Sequence, residues 1–351
     1  MSKFCVFCGQ KPQNKNKEHI IPQWLSKHTG RFDKICEMGD ITNGRQISFA
    51  SFTFPACTAC NEKFGKLEAA AKTILLDVLA GKSINAQQTN TLLDWFDKIR
   101  VGLWLADLTL SKDIEEIAPK FHIADRVGRK DRMLIVEHLK GIGNGIYFAG
   151  TFSPVFKQMP SAFMLVVNDV AFINASEHGL VSNKLGFPQI SKMQCISGTN
   201  MHSMDVTKGR NKTTHPVVSN IQASPTRTII YQPIFRDFHQ NGLSTEYNVP
   251  YVLNHSMDYN NGVGGIFAQR TDNRIIYMSD KDKIKLLPQK PVAGVRMASL
   301  VKETLELQNY ILNTRTDIYS GSPDYIKIWE SNLRQNNRMI DLIEKRIQNS
   351  R

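Results

Sequence analysis

Two Cys-x-x-Cys pairs, Cys5/Cys8 and Cys57/Cys60, constrain this chain more than any other feature it carries. Each pair offers two sulfurs on a tight turn, and together they supply four thiolates. Zinc takes four thiolates in a tetrahedron, and a site filled that way leaves no position for substrate or water. The spacing therefore predicts a structural zinc that closes residues 5–60 into one small unit. So short a stretch has little core of its own, and a metal would supply folding energy. The competing reading is a redox pair, which paired knuckles in a reducing compartment favour less. Cys36 and Cys195 have no evident partners and read as small buried residues.

With 351 residues the chain has room for two or three domains. No apolar run is long enough to span a bilayer, and MSKFCVFCGQ lacks the apolar core of a secretory signal. The expectation is a cytoplasmic protein with no membrane partner. Lys and Arg total 44 against 32 Asp and Glu, a net charge of +12, which favours phosphate-rich partners.

Secondary-structure signals divide the chain. Residues 1–57 are turn-rich and poor in helix signals. Residues 58–80 read as a helix stopped by Gly81, and 86–108 as a second helix with apolar residues at helical spacing. From about 131 to 295 the pattern turns to strands, carried by RMLIVEHL, GIYFAGTF, AFMLVVNDVAFINA and RTIIYQPIF. Asn168-Asp169 predicts a hairpin turn, and Asn260 through Gly265 another turn. Gly141-x-Gly143-x-Gly145 lacks dinucleotide-binding spacing and reads as turn geometry. Lys208 through Lys212 is a basic loop, either solvated surface or a phosphate contact.

Helices return at 297–313 and 323–349. In the second, Ile326, Trp329, Leu333, Asn336, Ile340, Ile343 and Ile347 recur at spacings of three and four. Such a seam either packs on its own domain or forms a homodimer with Asn336 setting register.

Chemistry concentrates between the knuckles. Glu18-His19 places a carboxylate, able to hold a hard divalent cation, beside an imidazole able to take a proton near neutral pH. The dipeptide alone carries little information, since Glu137-His138 and Glu177-His178 repeat it. Asn61 follows the last cysteine in the first turn of the predicted helix. Its amide oxygen can ligate a cation, and a helix cap is the alternative.

The order Cys5-x-x-Cys8, Glu18-His19-Ile20-Ile21-Pro22, Cys57-x-x-Cys60-Asn61 resembles the zinc-containing branch of the HNH endonucleases, the ββα-metal nucleases. The resemblance covers residues 5–68, under a fifth of the chain. It implies that Glu18 and Asn61 bind one catalytic Mg²⁺ or Mn²⁺, that His19 is the general base, and that the four cysteines hold structural zinc. It implies DNA as substrate, with 5′-phosphate and 3′-hydroxyl products. The chain has Glu18 where that family usually has Asp. The middle Asn that steadies the family's histidine has Asn43 as its nearest counterpart, in a Thr-Asn-Gly sequence that is also a simple turn. Glu68, two turns past Asn61, either forms a salt bridge or binds metal.

The expected architecture is α+β. A zinc-stabilised ββα-metal module over 1–80 precedes a larger mixed region over 81–351, with a strand-rich middle and a helical C-terminus. That larger region would control targeting through a protein partner or an activating ligand, in a bacterial defence or restriction role. A non-catalytic zinc-stabilised nucleic-acid-binding module, and an RNA-cleaving nuclease, are the rival readings.

Overall fold

The computed structural model describes residues 4–38, 45–110, 119–187, 189–195, 202–207, 218, 221–234, 262–285 and 290–350. The chain is a mixed α+β protein. Asn43, the loop at 208–212 and the first residues of the 260–265 turn lie outside the described residues, as do the side chains of Cys36 and Cys195.

The N-terminal unit begins with the knuckle at Cys5 and Cys8. It continues through β1 (Lys15–His19), α1 (Gln23–His28), β2 (Ile35–Met38), β3 (Arg45–Ser48) and β4 (Thr53–Cys57) into α2 (Thr58–Leu79). Strands β1 and β4 pair antiparallel, with Lys15 opposite Cys57 and His19 opposite Thr53. The short α1 departs from the helix-poor reading of 1–57. Pro22 precedes it with φ −56°, the value its ring imposes and a helix needs. Helix α2 ends at Ala80 and Gly81, where Gly81 takes φ +74° and donates its N–H to the Val78 carbonyl.

The next helix, α3 (Ala86–Leu110), follows the two-residue strand β5 (Ile84–Asn85). Its start is a reciprocal cap: the Asn85 Oδ1 accepts from Gln88 N at 2.8 Å, and Gln88 Oε1 accepts from Asn85 N at 2.9 Å. Residues 95–107 of α3 are buried without interruption. A helix covered on every side needs partners on every side. Here α2 and the N-terminal unit take one flank and a seven-stranded sheet takes the other.

That sheet comprises β6 (Arg132–His138), β7 (Ile146–Ala149), β8 (Ala162–Val167), β9 (Val170–Ser176), β12 (Arg227–Gln232), β13 (Ile266–Gln269) and β14 (Ile275–Met278), in the order β14-β13-β12-β6-β9-β8-β7. All neighbours are antiparallel. A separate hairpin joins β10 (Gln189–Cys195) to β11 (His202–Thr207), and β15 (Lys283–Ile284) pairs with β5. The β8–β9 hairpin turns at Asn168-Asp169, with Asn168 at φ +52°, a conformation asparagine tolerates. The Gly141–Gly145 run is a turn, pinned where Asp169 Oδ1 accepts from the Ile142 and Gly143 N–H groups at 3.0 Å.

Every residue of β8 and β9 is buried. Phe163, Leu165, Val167 and Phe172 enter the core shared with α3 and the N-terminal unit. Met164, Val166, Ala171 and Ile173 enter a second core beneath α5 (Ala293–Ile318), the helix that follows the short α4 (Pro154–Gln158) in chain order. A sheet covered on both faces reads in sequence as a continuous apolar run rather than an alternation.

Helix α5 extends beyond the expected 297–313 at both ends and kinks at Gly294. The last helix, α6 (Pro323–Asn349), lays its seam on α5 of the same chain. Fully buried Asn336 donates to the Leu305 carbonyl at 3.1 Å and to Asn309 Oδ1 at 2.7 Å. Asn336 thus bonds to α5 of its own chain.

Candidate functional site

The four cysteines meet where the start of the chain, the end of β4 and the first turn of α2 converge. Their sulfurs all lie within 4.8 Å of one another, and Cys8 Sγ is 3.9 Å from Cys57 Sγ. Zn–S bonds of about 2.3 Å in a tetrahedron require sulfur–sulfur edges of about 3.8 Å. The cluster is therefore compatible with a structural zinc. Backbone N–H groups of Cys57 and Gln13 point at the Cys5 and Cys57 sulfurs at 3.3 and 3.4 Å. Burial pushes the Cys60 thiol up to about 12, helped by the neighbouring Cys8 and Cys5 sulfurs. Burial raises the Cys8 thiol too, whereas at Cys5 burial is more than offset by backbone N–H groups, that of Cys57 foremost, which hold the thiol below its usual range.

Local packing explains why the knuckle forms. Gly9 takes φ +72°, and a Cβ there would come within 2.4 Å of the His122 ring, so only glycine fits. Phe7 stacks on Phe64 at 4.5 Å and ties the knuckle to α2.

One strand away, β1 delivers Glu18 and His19, and α2 delivers Asn61 and Glu68. Glu18, His19, Asn61 and Glu68 line one pocket of about 420 Å³, with Lys17 and Lys27 also in its wall. Buried Ile20 and Ile21 anchor the chain just after His19.

His19 Nε2 lies 3.2 Å from the Ala50 carbonyl. A carbonyl can only accept, so this contact calls for the ring proton on Nε2 with Nδ1 the basic nitrogen. The Gln23 amide nitrogen, 3.1 Å from the same Nε2, can only donate and calls for the opposite tautomer. Ala50 sits in a single 3₁₀ turn, Phe49–Ser51, held by the Ser48 hydroxyl. Thus a backbone carbonyl steadies the histidine, and Asn43 falls outside the described residues.

Asn61 is not the cap of α2, since that position belongs to Cys57. Its Nδ2 donates to the Lys17 carbonyl at 3.2 Å, which leaves the amide oxygen for another partner.

Lys98, on α3, escaped the sequence reading. Its ammonium is almost fully buried and lies 2.5 Å from Glu18 Oε1 while also bonding Glu68 Oε2. Burial raises the Glu18 carboxyl above its usual range and Lys98 works against that rise. Burial likewise disfavours the charged lysine, but Glu18 and Glu68 more than offset it and hold Lys98 above its usual range. The signal that could have found Lys98 is the cluster of charged residues Asp94, Asp97, Lys98 and Arg100 inside the mainly apolar stretch from Leu92 to Leu108. Glu68 takes the salt-bridging role of its two readings. The other two Glu-His pairs lie elsewhere, in β6 and just after β9.

Among the described residues no helix is long and apolar enough to cross a membrane. Compared with models of protein families, with curated proteins and with solved structures, the chain matches none.

Proposed function

We propose that the N-terminal unit is an HNH-type ββα-metal nuclease module that hydrolyses DNA phosphodiester bonds, with zinc in the four-cysteine cluster as its structural staple. The observation that carries this reading is the convergence of Glu18, His19 and Asn61 on one pocket, beside the cysteine cluster and behind a β1–β4 pair that feeds directly into α2.

The residues fit a divalent ion. Glu18 and Asn61 would hold Mg²⁺ or Mn²⁺ through oxygen, the donor type hard cations take. Bound there, such an ion supplies charge stabilisation for the departing 3′ oxygen. In the tautomer whose Nε2 proton the Ala50 carbonyl holds, His19 accepts a proton from water at Nδ1. Lys17 and Lys27 in the pocket wall give a phosphate backbone two cations to lie against. Lys98 holds Glu18 in place and balances its charge, so the site reaches the substrate already partly neutralised. A cation bound at Glu18 therefore competes with, or shares the carboxylate with, an ammonium.

The test is plasmid cleavage with Mg²⁺ or Mn²⁺, with and without chelator. His19→Ala is expected to lower cleavage by at least 10²-fold, in line with loss of a general base, while zinc content and melting temperature stay at wild-type values. Wild-type cutting by His19→Ala would remove histidine from the mechanism. Absence of cutting by the wild-type protein on both DNA and RNA would favour a zinc-stabilised nucleic-acid-binding module. A role in bacterial defence, with the sheet region governing when the module cuts, extends the same proposal.

A further inference from the structure

On the far side of the sheet from Glu18, a cavity of about 180 Å³ opens between α5 and the segment following β9. Its wall includes Glu177, His178 and Lys184 from that segment and Tyr310, Thr314 and Arg315 from α5. We infer that this cavity is a binding site for a small oxyanion, a phosphoryl group or one of like size and charge, seated on Arg315 and Lys184.

More than one cation meets a single buried carboxylate at this wall. Arg315 and Lys130 both bond one oxygen of Glu177, its Oε1, while Glu177 Oε2 is buried with no hydrogen-bond partner. The charge of Arg126, whose guanidinium stacks over Phe121 at 3.9 Å, also favours the ionised Glu177 carboxylate. Two cations thus bond one buried carboxylate, and Lys184 adds another at the wall.

Neighbouring acids are engaged elsewhere. Asp131, next to Lys130 in sequence, accepts from the Val181, Ser182 and Ile234 N–H groups and from the Ser182 hydroxyl. Asp97 is shared between Arg100 and Arg132. Burial, together with Arg126 and Arg315, favours the neutral form of Lys130 and holds it well below the usual lysine range, so the permanent positive charge at the cavity wall is that of Arg315.

Excess positive charge out of water is costly, and an anion relieves it. Arginine supplies a planar donor fork suited to tetrahedral and planar oxyanions, and lysine a point charge. The cavity volume exceeds that of one phosphate ion, so the Tyr310 and Thr314 side has room for an organic group attached to it. This inference stands apart from the proposed cleavage reaction, since it shares no residue with the Glu18–His19 pocket.

The test follows thermal stability of the full chain against sodium phosphate and against adenosine 5′-monophosphate, at ionic strength matched with chloride. Saturable stabilisation is expected for at least one of them. Lys184→Glu is expected to weaken apparent affinity at least ten-fold, and Thr314→Trp, at a half-buried wall position, to abolish it. Lys281→Glu, the same charge change on an exposed lysine away from the cavity, is expected to leave it unchanged. Nucleotide binding at least ten-fold tighter than phosphate would support a phosphorylated organic ligand, and equal affinities a free oxyanion. Stabilisation that never saturates, no stabilisation by either, or equal losses in Lys184→Glu and Lys281→Glu would overturn the inference. His19→Ala is expected to bind as wild type does, so failure of the cleavage reading and failure of this one are separable.

Discussion

The N-terminal unit and the seven-stranded sheet solve the same problem, burial of too little or too much apolar surface, in opposite ways. The sheet has apolar residues on both faces and covers them with α3 on one side and α5 on the other. The N-terminal unit has short strands, the end of one of them meeting the cysteine cluster, and it borrows α3 for the rest of its core. One region is stabilised by area. The other depends on a few specific contacts: four sulfurs, a Phe7–Phe64 stack and the Glu18–Lys98–Glu68 ion cluster. The lesson is that a site can be built on a small unit when a neighbouring helix supplies both its packing and its countercharge.

This contrast can be broken most directly at the cysteines. Cys57→Ala is expected to cause the largest loss, because structural zinc contributes on the order of 10 kcal/mol to folding of small metal-bound units. Elemental analysis should show loss of bound zinc, and limited proteolysis should open residues 4–57 while the sheet stays resistant. A variant that keeps zinc and protease resistance would show that area, not metal, supports both regions.

Next comes Lys98→Met, which strands two carboxylates against the pocket. Removal of one partner of a buried ion pair costs about 3–5 kcal/mol. Chemical denaturation would measure it, and a loss under 1 kcal/mol would mean that the cluster contributes nothing the packing does not. In the sheet, Leu165→Ala should cost about 2–5 kcal/mol through lost burial and a residual cavity. Its effect should leave zinc content untouched, and zinc loss on this substitution would erase the distinction between the two regions.

The smallest expected effect is a change in acid sensitivity. Arg315, Lys130 and Arg126 overcome burial and hold Glu177 well below its ordinary value near 4.5. A depressed carboxyl contributes stability that is fully present above pH 4.5 and is lost as pH falls through its lowered value. The stability gap between wild type and Glu177→Gln should therefore be widest near pH 6 and narrow on acidification below 4.5. A gap constant from pH 6 to pH 3 would contradict this ionisation.

Much of the local structure could be read directly from residue types. The knuckles, the Gly81 stop, the Asn168-Asp169 turn and the bounds of α6 each follow from short-range chemistry: thiol spacing, left-handed backbone freedom, and an apolar seam at helical period. Those signals act within a few residues, so they survive in a one-dimensional reading. What the sequence alone left open was which surfaces meet. It could not place Lys98 between Glu18 and Glu68, separated from them by 80 and 30 positions, nor put the Ala50 carbonyl on His19. It could not place α6 against α5 of the same chain, nor foresee that Arg315 and Lys130 would both bond one glutamate behind the sheet. Coulombic and packing partners are selected by distance in space, and only the tertiary fold sets that distance.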